Sequence, residues 1–544
     1  MTETVASALV AELKRHGIRR GYCVPGESYL AVLDALHESV IRLITCRQEG
    51  GASYMAMAEG RLTQIPGLLL VTRGPGASNA MIGIHCAYEE GVPLVAIVGL
   101  PAHASRGTRS FQEFGFEQWF NATAKHSVVL DEPRHARFAV DNAIRLASEG
   151  RPGPVVIGVP EDILGQPVPP VPDRGMPGSV TVGQGATAPE GAVAALNATV
   201  DSAKRPVLVV GDHTLSAEAA RHLEKWATAR AIPLVADFRS YALVDVSAEV
   251  YVGALGVGKS WNIPDWISEA DRIVYLGCPR SETNSDHHSP VYDKATTLIG
   301  SSELLRFHGG RVDQFIDIRA DVLCRGLHTA DVPQVPVVRT AWVESARKAY
   351  LASLDAEAAA APEGRLAKYP ITAKLTGAVR DLLPVGSIVA YGAGTFSVAP
   401  QTLIPPKAHR GVLGTLNGSM GFGVPAGIAA KLVRPDSPVL IYSGDGDFFM
   451  NGQELATATM FGAPVVIVVV DNSSYGTIRD HQEREFPGRV SGTSLQNPDF
   501  ESYAKAFGGR YLTAEQVMND PNLFVDALRD ETFTLIYTRE KATP

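Results

Sequence analysis

Residues 439–476 read VLIYSGDGDFFMNGQELATATMFGAPVVIVVVDNSSYG. The runs VLIYS and PVVIVVV are continuous stretches of strand length rather than in-and-out alternations, the pattern of parallel strands buried on both faces. Between them, NGQELATATMF has helical spacing. Strand, helix and strand in this order make a unit of an α/β sheet, whose ligands sit outside the C-terminal ends of the strands. Both strand ends carry polar chemistry: Gly444-Asp445-Gly446-Asp447-Phe448 after the first and Asp471-Asn472-Ser473-Ser474-Tyr475-Gly476 after the second.

The same rhythm runs through all 544 residues. Apolar runs at 68–72, 94–99, 155–159, 207–211, 272–277 and 388–391 alternate with helical stretches, which implies doubly wound parallel sheets. Three stretches interrupt it: 166–186 (QPVPPVPDRGMPGSVTVGQGA), 332–338 (VPQVPVV) and 356–364 (AEAAAAPEG). Linkers have this composition. The expected architecture is therefore α/β, with three doubly wound parallel-sheet domains at 1–165, 187–330 and 365–544.

Composition excludes several classes. Lys+Arg 49 against Asp+Glu 58 gives a net charge of −9, which disfavours nucleic acid or an anionic membrane as partner. Cys23, Cys46, Cys86, Cys278 and Cys324 are odd in number and never in a C-x-x-C pair, so neither a disulfide framework nor a zinc site is expected. A reducing, cytoplasmic compartment follows as the expectation. Residues 1–17 (MTETVASALVAELKRHG) read as an amphipathic helix ended by Gly17, because Glu3, Glu12, Lys14 and Arg15 interrupt any signal-peptide core. The strongest apolar run, 464–470, is far short of the ~18–20 residues of a membrane span.

Residues 253–260, GALGVGKS, match the G-x-x-x-x-G-K-[ST] phosphate loop letter for letter. That loop needs a helix starting at its lysine. Here Asn262-Ile263-Pro264 follows at once, and proline disfavours helical backbone in the residue before it. The next apolar run ends in Gly277 rather than an aspartate for Mg²⁺. An NTPase site is not expected.

Asp445 and Asn472, at two neighbouring strand ends, together with a loop carbonyl, form an all-oxygen set suited to Mg²⁺ bridging a diphosphate. Gly444 and Gly446 would let backbone approach a phosphate. G-D-G alone is an ordinary tight turn. Followed by a helix, a buried strand and D-N, it resembles the fingerprint of the thiamine diphosphate enzymes, G-D-G and then N-N. The resemblance implies that Asp445, Asn472 and the Ser474 carbonyl hold Mg²⁺, with Gly444, Gly446, Asp447, Tyr475 and Gly476 around the cofactor. Asp471 departs from the family's first asparagine.

Further segments agree with this resemblance. Val24-Pro25-Gly26-Glu27 is similar to the family's F-G-x-P-G turn, and Arg47-Gln48-Glu49-Gly50-Gly51-Ala52 to R-H-E-Q-G-A, whose glutamate activates the cofactor. A carboxylate against the aminopyrimidine N1′ favours the imino tautomer, whose N4′ can take the thiazolium C2 proton. Outside this context a glutamate at a helix start is a cap. Val71-Thr72-Arg73-Gly74-Pro75-Gly76 looks like the T-S-G-P-G loop, with Arg73 a departure. Thr72 and Pro25 are implied cofactor contacts. Gly418-Ser419-Met420-Gly421-Phe422-Gly423 is similar to the acetolactate synthase G-T-M-G-F-G, where the glycine carbonyl contacts N4′ and the methionine bends the cofactor. Gly392-Ala393-Gly394-Thr395-Phe396 stands in the place of the other diphosphate loop, which makes Gly394 and Thr395 candidates.

Pyruvate-decarboxylase-type members carry a His-His pair in domain one and a glutamate six residues after the metal-binding asparagine. Arg109-Ser110-Phe111-Gln112-Glu113 has no such pair, and six residues after Asn472 stands Ile478. Aldehyde release is therefore disfavoured, and Phe111-Gln112-Glu113 is similar instead to the acetolactate synthase F-Q-E. The resemblance implies a carboligase or C–C lyase that uses thiamine diphosphate and Mg²⁺ on a 2-oxo acid and an acceptor. Glu49, Phe111, Gln112, Met420 and Ile478 take part in its catalysis. Asp480 and His481 depart from the family in the acceptor region, and His481 is either an acid/base or a loop hydrogen bond. Open alternatives are a 2-hydroxyacyl-CoA lyase, an oxalyl-CoA decarboxylase, an aldehyde lyase and a non-catalytic paralogue. FAD or ADP in the central domain stays open too, at Gly211-Asp212-His213 and Gly277-Cys278-Pro279-Arg280. The family places its cofactor between domain one of one subunit and domain three of another, which implies a homodimer at least and a homotetramer as the expected assembly. Only 539–544 follow the last apolar run, so a more open site than in acetolactate synthases with a C-terminal arm is expected.

Overall fold

The computed structural model describes residues 3–169, 188–258, 263–329, 332–355, 364 and 366–540. Residues 170–187 and 356–363 of the linker stretches, the boundary positions 330 and 365, and Lys259 and Ser260 of the phosphate-loop look-alike lie outside the described residues.

Three sheets of six strands, all parallel, make the molecule. The first contains β1 (Arg20–Cys23), β2 (Arg42–Thr45), β3 (Gly67–Val71), β4 (Leu94–Leu100), β5 (His126–Val129) and β6 (Pro154–Pro160), in the order β2-β1-β3-β4-β6-β5. The second contains β7 (Pro206–Val210), β8 (Leu234–Ala236), β9 (Tyr251–Ala254), β10 (Arg272–Leu276), β11 (Ala295–Gly300) and β12 (Gln314–Asp317), in the order β12-β11-β10-β7-β8-β9. The third contains β13 (Ile388–Tyr391), β14 (Val412–Leu413), β15 (Val439–Gly444), β16 (Val466–Asp471), β17 (Arg510–Thr513) and β18 (Thr534–Arg539), in the order β14-β13-β15-β16-β18-β17. The outer two sheets thus share one topology, whereas the middle one has the strand order of a dinucleotide-binding fold. The all-apolar runs became the fully buried strands β3, β4, β6, β15 and β16.

Register positions the site. Tyr391 pairs with Tyr442 across β13 and β15, and Gly444 pairs with Val470 across β15 and β16. Gly392, Asp445 and Asn472 therefore leave three adjoining strand ends together. The sheet order reverses between β13 and β15, and crevices at such switch points bind ligands.

The helix Glu49–Thr63 is buried at every residue from Gly50 to Leu62. Such all-round burial means a helix packed between layers rather than on a surface. It lies between the helix Gly74–Glu90 of its own domain and the helix Gly423–Val433 of the third, so the outer domains share a contiguous core. The proline break at 332–338 is shorter than expected, since the helix Val337–Ala352 begins inside it. No helix among the described residues is long and apolar enough to cross a membrane.

Candidate active site

A cavity of about 570 Å³ opens at the ends of β13, β15 and β16. Gly394, Thr395, Gly418, Met420, Gly444, Asp445, Gly446, Asp447, Asn472, Ser474, Tyr475, Gly476 and Ile478 all line it. The helix after β15 starts at Asp445 itself (Asp445–Asn451), with Gly444 as its N-cap, and not at Asn451 as the residue spacing suggests. Two acidic residues in its first turn, Asp445 and Asp447, match the positive end of the helix dipole. The unpaired N–H groups of a helix N-terminus so lie at the cavity wall. The glycines there serve packing: a methyl group at Gly446 would lie 2.5 Å from Tyr475 Cε1, and one at Gly444 2.7 Å from Phe396 Cδ1. Their smallness admits two aromatic rings rather than only a phosphate.

Asn497, which no motif marks, bridges the two acids of the site. Its Nδ2 donates to Asp445 Oδ2 at 2.8 Å and to Asp471 Oδ1 at 3.0 Å. Burial pushes the Asp445 carboxyl up; the Asn497 hydrogen bond opposes this and the charge of Asp471 adds to it. Burial acts on Asp471 too, but the Tyr537 hydroxyl at 2.8 Å, the Ser473 N–H at 2.7 Å and Arg539 at 2.7 Å outweigh it and hold that carboxyl below the usual range. Ser473 is left-handed, φ +50°, and the Ser474 N–H donates to Asn472 Oδ1 at 3.1 Å. The Ser474 carbonyl accepts from the Gly476 N–H at 2.8 Å, and the Ser474 hydroxyl is buried without a partner.

Asp447 also ties two loops together. It lines the cavity, but its carboxylate accepts from the Ala393 N–H at 3.0 Å, the Gly421 N–H at 2.9 Å and the Ser443 hydroxyl. With its lone pairs used in this way, it is a staple between loops. Thr395 is tied to Tyr369 at 2.7 Å and to Thr477 at 3.3 Å.

A second cluster lies in the first domain and does not line this cavity. Gln48, not Glu49, caps the helix Glu49–Thr63, accepting from the N–H groups of Gly50 and Gly51 at 2.5 and 3.2 Å. The Glu49 carboxylate is thereby released from capping, and its Oε2 accepts from Asn79 Nδ2 at 2.9 Å. A methyl group at Gly76 would stand 2.9 Å from Thr72 Cγ2 and 3.4 Å from Glu49 Oε1, and one at Gly26 2.7 Å from Thr72 Oγ1. Thr72, Glu49 and Asn79 therefore gather around one point, with Gly26, the neighbour of Pro25, packed against Thr72. Phe111 and Gln112 border it: the Gln112 carbonyl accepts from the Gly74 N–H at 3.0 Å, and Phe111 is 73% exposed. Arg73, the departure in that loop, pairs with Glu161 and points Nη1 at the Phe111 carbonyl, 3.5 Å away. From the third domain, Glu454 accepts from the N–H groups of Arg47 and Gln48, each at 3.1 Å, behind Glu49.

His481 does not line the cavity. It is exposed on the helix Gly476–Glu485 with Nδ1 2.6 Å from Arg484, and Asp480 pairs with Lys368. In the central domain, Gly211-Asp212-His213 and Gly277-Cys278-Pro279 do meet, around a cavity of about 200 Å³. That is below the roughly 300–1,000 Å³ of small-molecule sites.

Three thiamine pyrophosphate enzyme families match the chain: the N-terminal TPP binding domain over residues 3–119, the central domain over 193–303 and the C-terminal TPP binding domain over 392–537. The chain is 32% identical to an acetolactate synthase large subunit of Parasynechococcus marenigrum, across 98% of this chain and 86% of that one. It is 28% identical to the acetolactate synthase isozyme 2 large subunit of Escherichia coli (93% and 90% covered) and to an acetolactate synthase of Bacillus subtilis (96% and 90%).

Proposed function

The chain belongs to the acetolactate-synthase-like superfamily of thiamine pyrophosphate enzymes, and from that premise we propose that it splits CO₂ from a 2-oxo acid and transfers the remaining fragment to an acceptor. The 570 Å³ cavity fits the cofactor on three counts: its size, an all-oxygen donor set at two strand ends, and a buried Ser474 hydroxyl without a partner. Asp445, Asn472 and the Ser474 carbonyl would hold Mg²⁺. When bound, the cofactor supplies the carbon nucleophile that adds to the donor carbonyl and accepts its electrons as CO₂ leaves.

This chain's own residues do the rest. Glu49 would hold a proton between its carboxylate and the aminopyrimidine ring, while Asn79 fixes the carboxylate's other side. The Gly418 carbonyl would accept from the cofactor's amino group, and Met420 and Ile478 would keep water from the reacting face. Phe111 and Gln112 bound the donor. Since Glu49 stands outside the cavity of its own chain, a second copy completes the site, in a homodimer or a homotetramer built from such dimers. Five free, buried cysteines support a cytoplasmic setting. No step runs through the central domain.

The observation that supports transfer over aldehyde release is Ile478, an apolar residue that lines the cavity six positions after Asn472, where pyruvate-decarboxylase-type members carry a glutamate. The test is a panel of 2-oxo acids with pyruvate, acyl-CoA and aldehyde acceptors, following CO₂ and coupled product. Turnover should require thiamine diphosphate, stop on chelation, return with Mg²⁺ and vanish in Glu49→Ala. Aldehyde as the main product, or no cofactor-dependent turnover at all, would reject the reading.

A further inference from the structure

The loop 414–421, one wall of the cavity, is gripped from outside at seven of its eight residues. Arg61 donates to the Gly414 carbonyl at 2.7 Å and Arg239 to the Thr415 carbonyl at 2.8 Å, while the Leu416 N–H donates to Glu90 at 2.7 Å. Cys86 Sγ lies 3.3 Å from Asn417 Nδ2 and 3.2 Å from Ser419 Oγ. The Tyr54 hydroxyl donates to the Met420 carbonyl at 3.1 Å, and the Gly421 N–H to Asp447 at 2.9 Å. Gly418 alone stands open, at φ +75° with nothing within 4 Å of where a methyl group would be. The grip therefore leaves free only Gly418, one of the five loop residues that line the cavity.

Arg239 differs from the other holders because it comes from the central domain and spans two walls. Its Nη1 reaches Thr415, its Nη2 donates to the Gly392 carbonyl at 3.0 Å, and its Nε lies 3.4 Å from Gln401. It is 4% exposed and left-handed, φ +56°, a conformation that an arginine holds only when its surroundings enforce it. Arg61 supplies that enforcement by donating to the Arg239 carbonyl at 3.0 Å. Asp447 binds the amides of the same two walls, at Ala393 and Gly421. A cation on the carbonyls and an anion on the amides thus set one spacing. A planar guanidinium can serve two carbonyls at once, and a lysine ammonium on its flexible stem cannot hold both in this geometry.

We propose that Arg239 is a positioning residue of the cofactor cavity, through which the central domain sets the distance between the 392–395 turn and the 414–421 loop. This rests on the thiamine diphosphate reading of the cavity. The test compares full-length wild type, Arg239→Lys and Arg239→Met in thiamine diphosphate affinity by calorimetry with Mg²⁺. At saturating cofactor it then compares exchange of the bound cofactor's C2 hydrogen for deuterium. Loosening of the fold alone would lower the melting midpoint without slowing that exchange. Arg239→Met is expected to weaken binding and slow exchange by on the order of tenfold each, with Arg239→Lys between. Should Arg239→Met not fold, Gly414→Ala decides by the same readouts, since its methyl would lie 2.7 Å from Arg239 Nη1 and displace the guanidinium. Folded variants with unchanged affinity and exchange overturn the proposal. A wild type that binds no thiamine diphosphate overturns the reading beneath it.

Discussion

Asp471 stands where the resembled fingerprint has asparagine, and it brings its own counter-charge: Arg539, at the end of β18, lies 2.7 Å away, with Tyr537 from the same strand donating at 2.8 Å. The pairing predicts a coupling. Arg539→Ala should cost about 1 kcal/mol, since Arg539 is half exposed, and clearly less in an Asp471→Asn background. Chemical denaturation of the four proteins checks it, and equal losses in both backgrounds would refute it. Glu90 is a second such residue. Burial raises its carboxyl to about 7 from 4.5, against the opposing charge of Arg61. A carboxyl raised in the folded state binds its proton more tightly there than in the unfolded chain. Its contribution is therefore present below about 4.5 and lost as the pH rises through 7. The chain should lose on the order of 3 kcal/mol from this group between those limits. Glu90→Gln should flatten the stability profile, as read from melting midpoints between pH 5 and 8.

The two helices Glu49–Thr63 and Gly74–Glu90 show why small residues recur in this chain. Each starts at the Glu49 cluster and ends at the grip on the 414–421 loop, through Tyr54 and Arg61 on one and Cys86 and Glu90 on the other. They approach so closely that a methyl group at Gly83 would lie 2.6 Å from the Ser53 carbonyl carbon. Gly83→Ala should wedge them apart, at about 1–3 kcal/mol as for other overpacked cores, and should lower kcat because Glu49 and Asn79 ride on opposite sides of the wedge. Gly191→Ala, in the helix Glu190–Asp201 with open space around it, should instead stabilise by about 0.5–1 kcal/mol. Melting curves of both variants check the contrast. The helix Asp445–Asn451 teaches the same lesson from the other side. Its glycines suggest a turn, and only the rings of Tyr475 and Phe396 against them show why glycine stands there in regular structure.

At the scale of the whole molecule, Glu49 and Asp445 belong to separate clusters of one chain, so the proposed site needs two copies. Mixing Glu49→Ala and Asp445→Ala subunits, each inactive alone, should restore roughly a quarter of wild-type activity. Half of random dimers are mixed, and each mixed dimer holds one intact site. No recovery after the subunits have exchanged would show that each chain builds its own site. The layered architecture was legible in the sequence, because a parallel strand covered on both faces is built mainly of apolar residues, and β3, β4, β6, β15 and β16 are buried from end to end. The sequence also marked Asp445, Asn472 and Glu49, whose short motifs lie within a few residues of a strand end or helix start. β14, two residues long, carries no periodic signal and was not legible. Neither were Asn497, Glu454 and Arg239, for a different reason. Each is a lone polar residue whose partners are 52, 407 and 176 positions away in the chain, and nothing local records such a partner. Only the folded chain, within the third domain for Asn497 and between domains for Glu454 and Arg239, brings these groups to their partners, because buried amides, carbonyls and carboxylates must each find one.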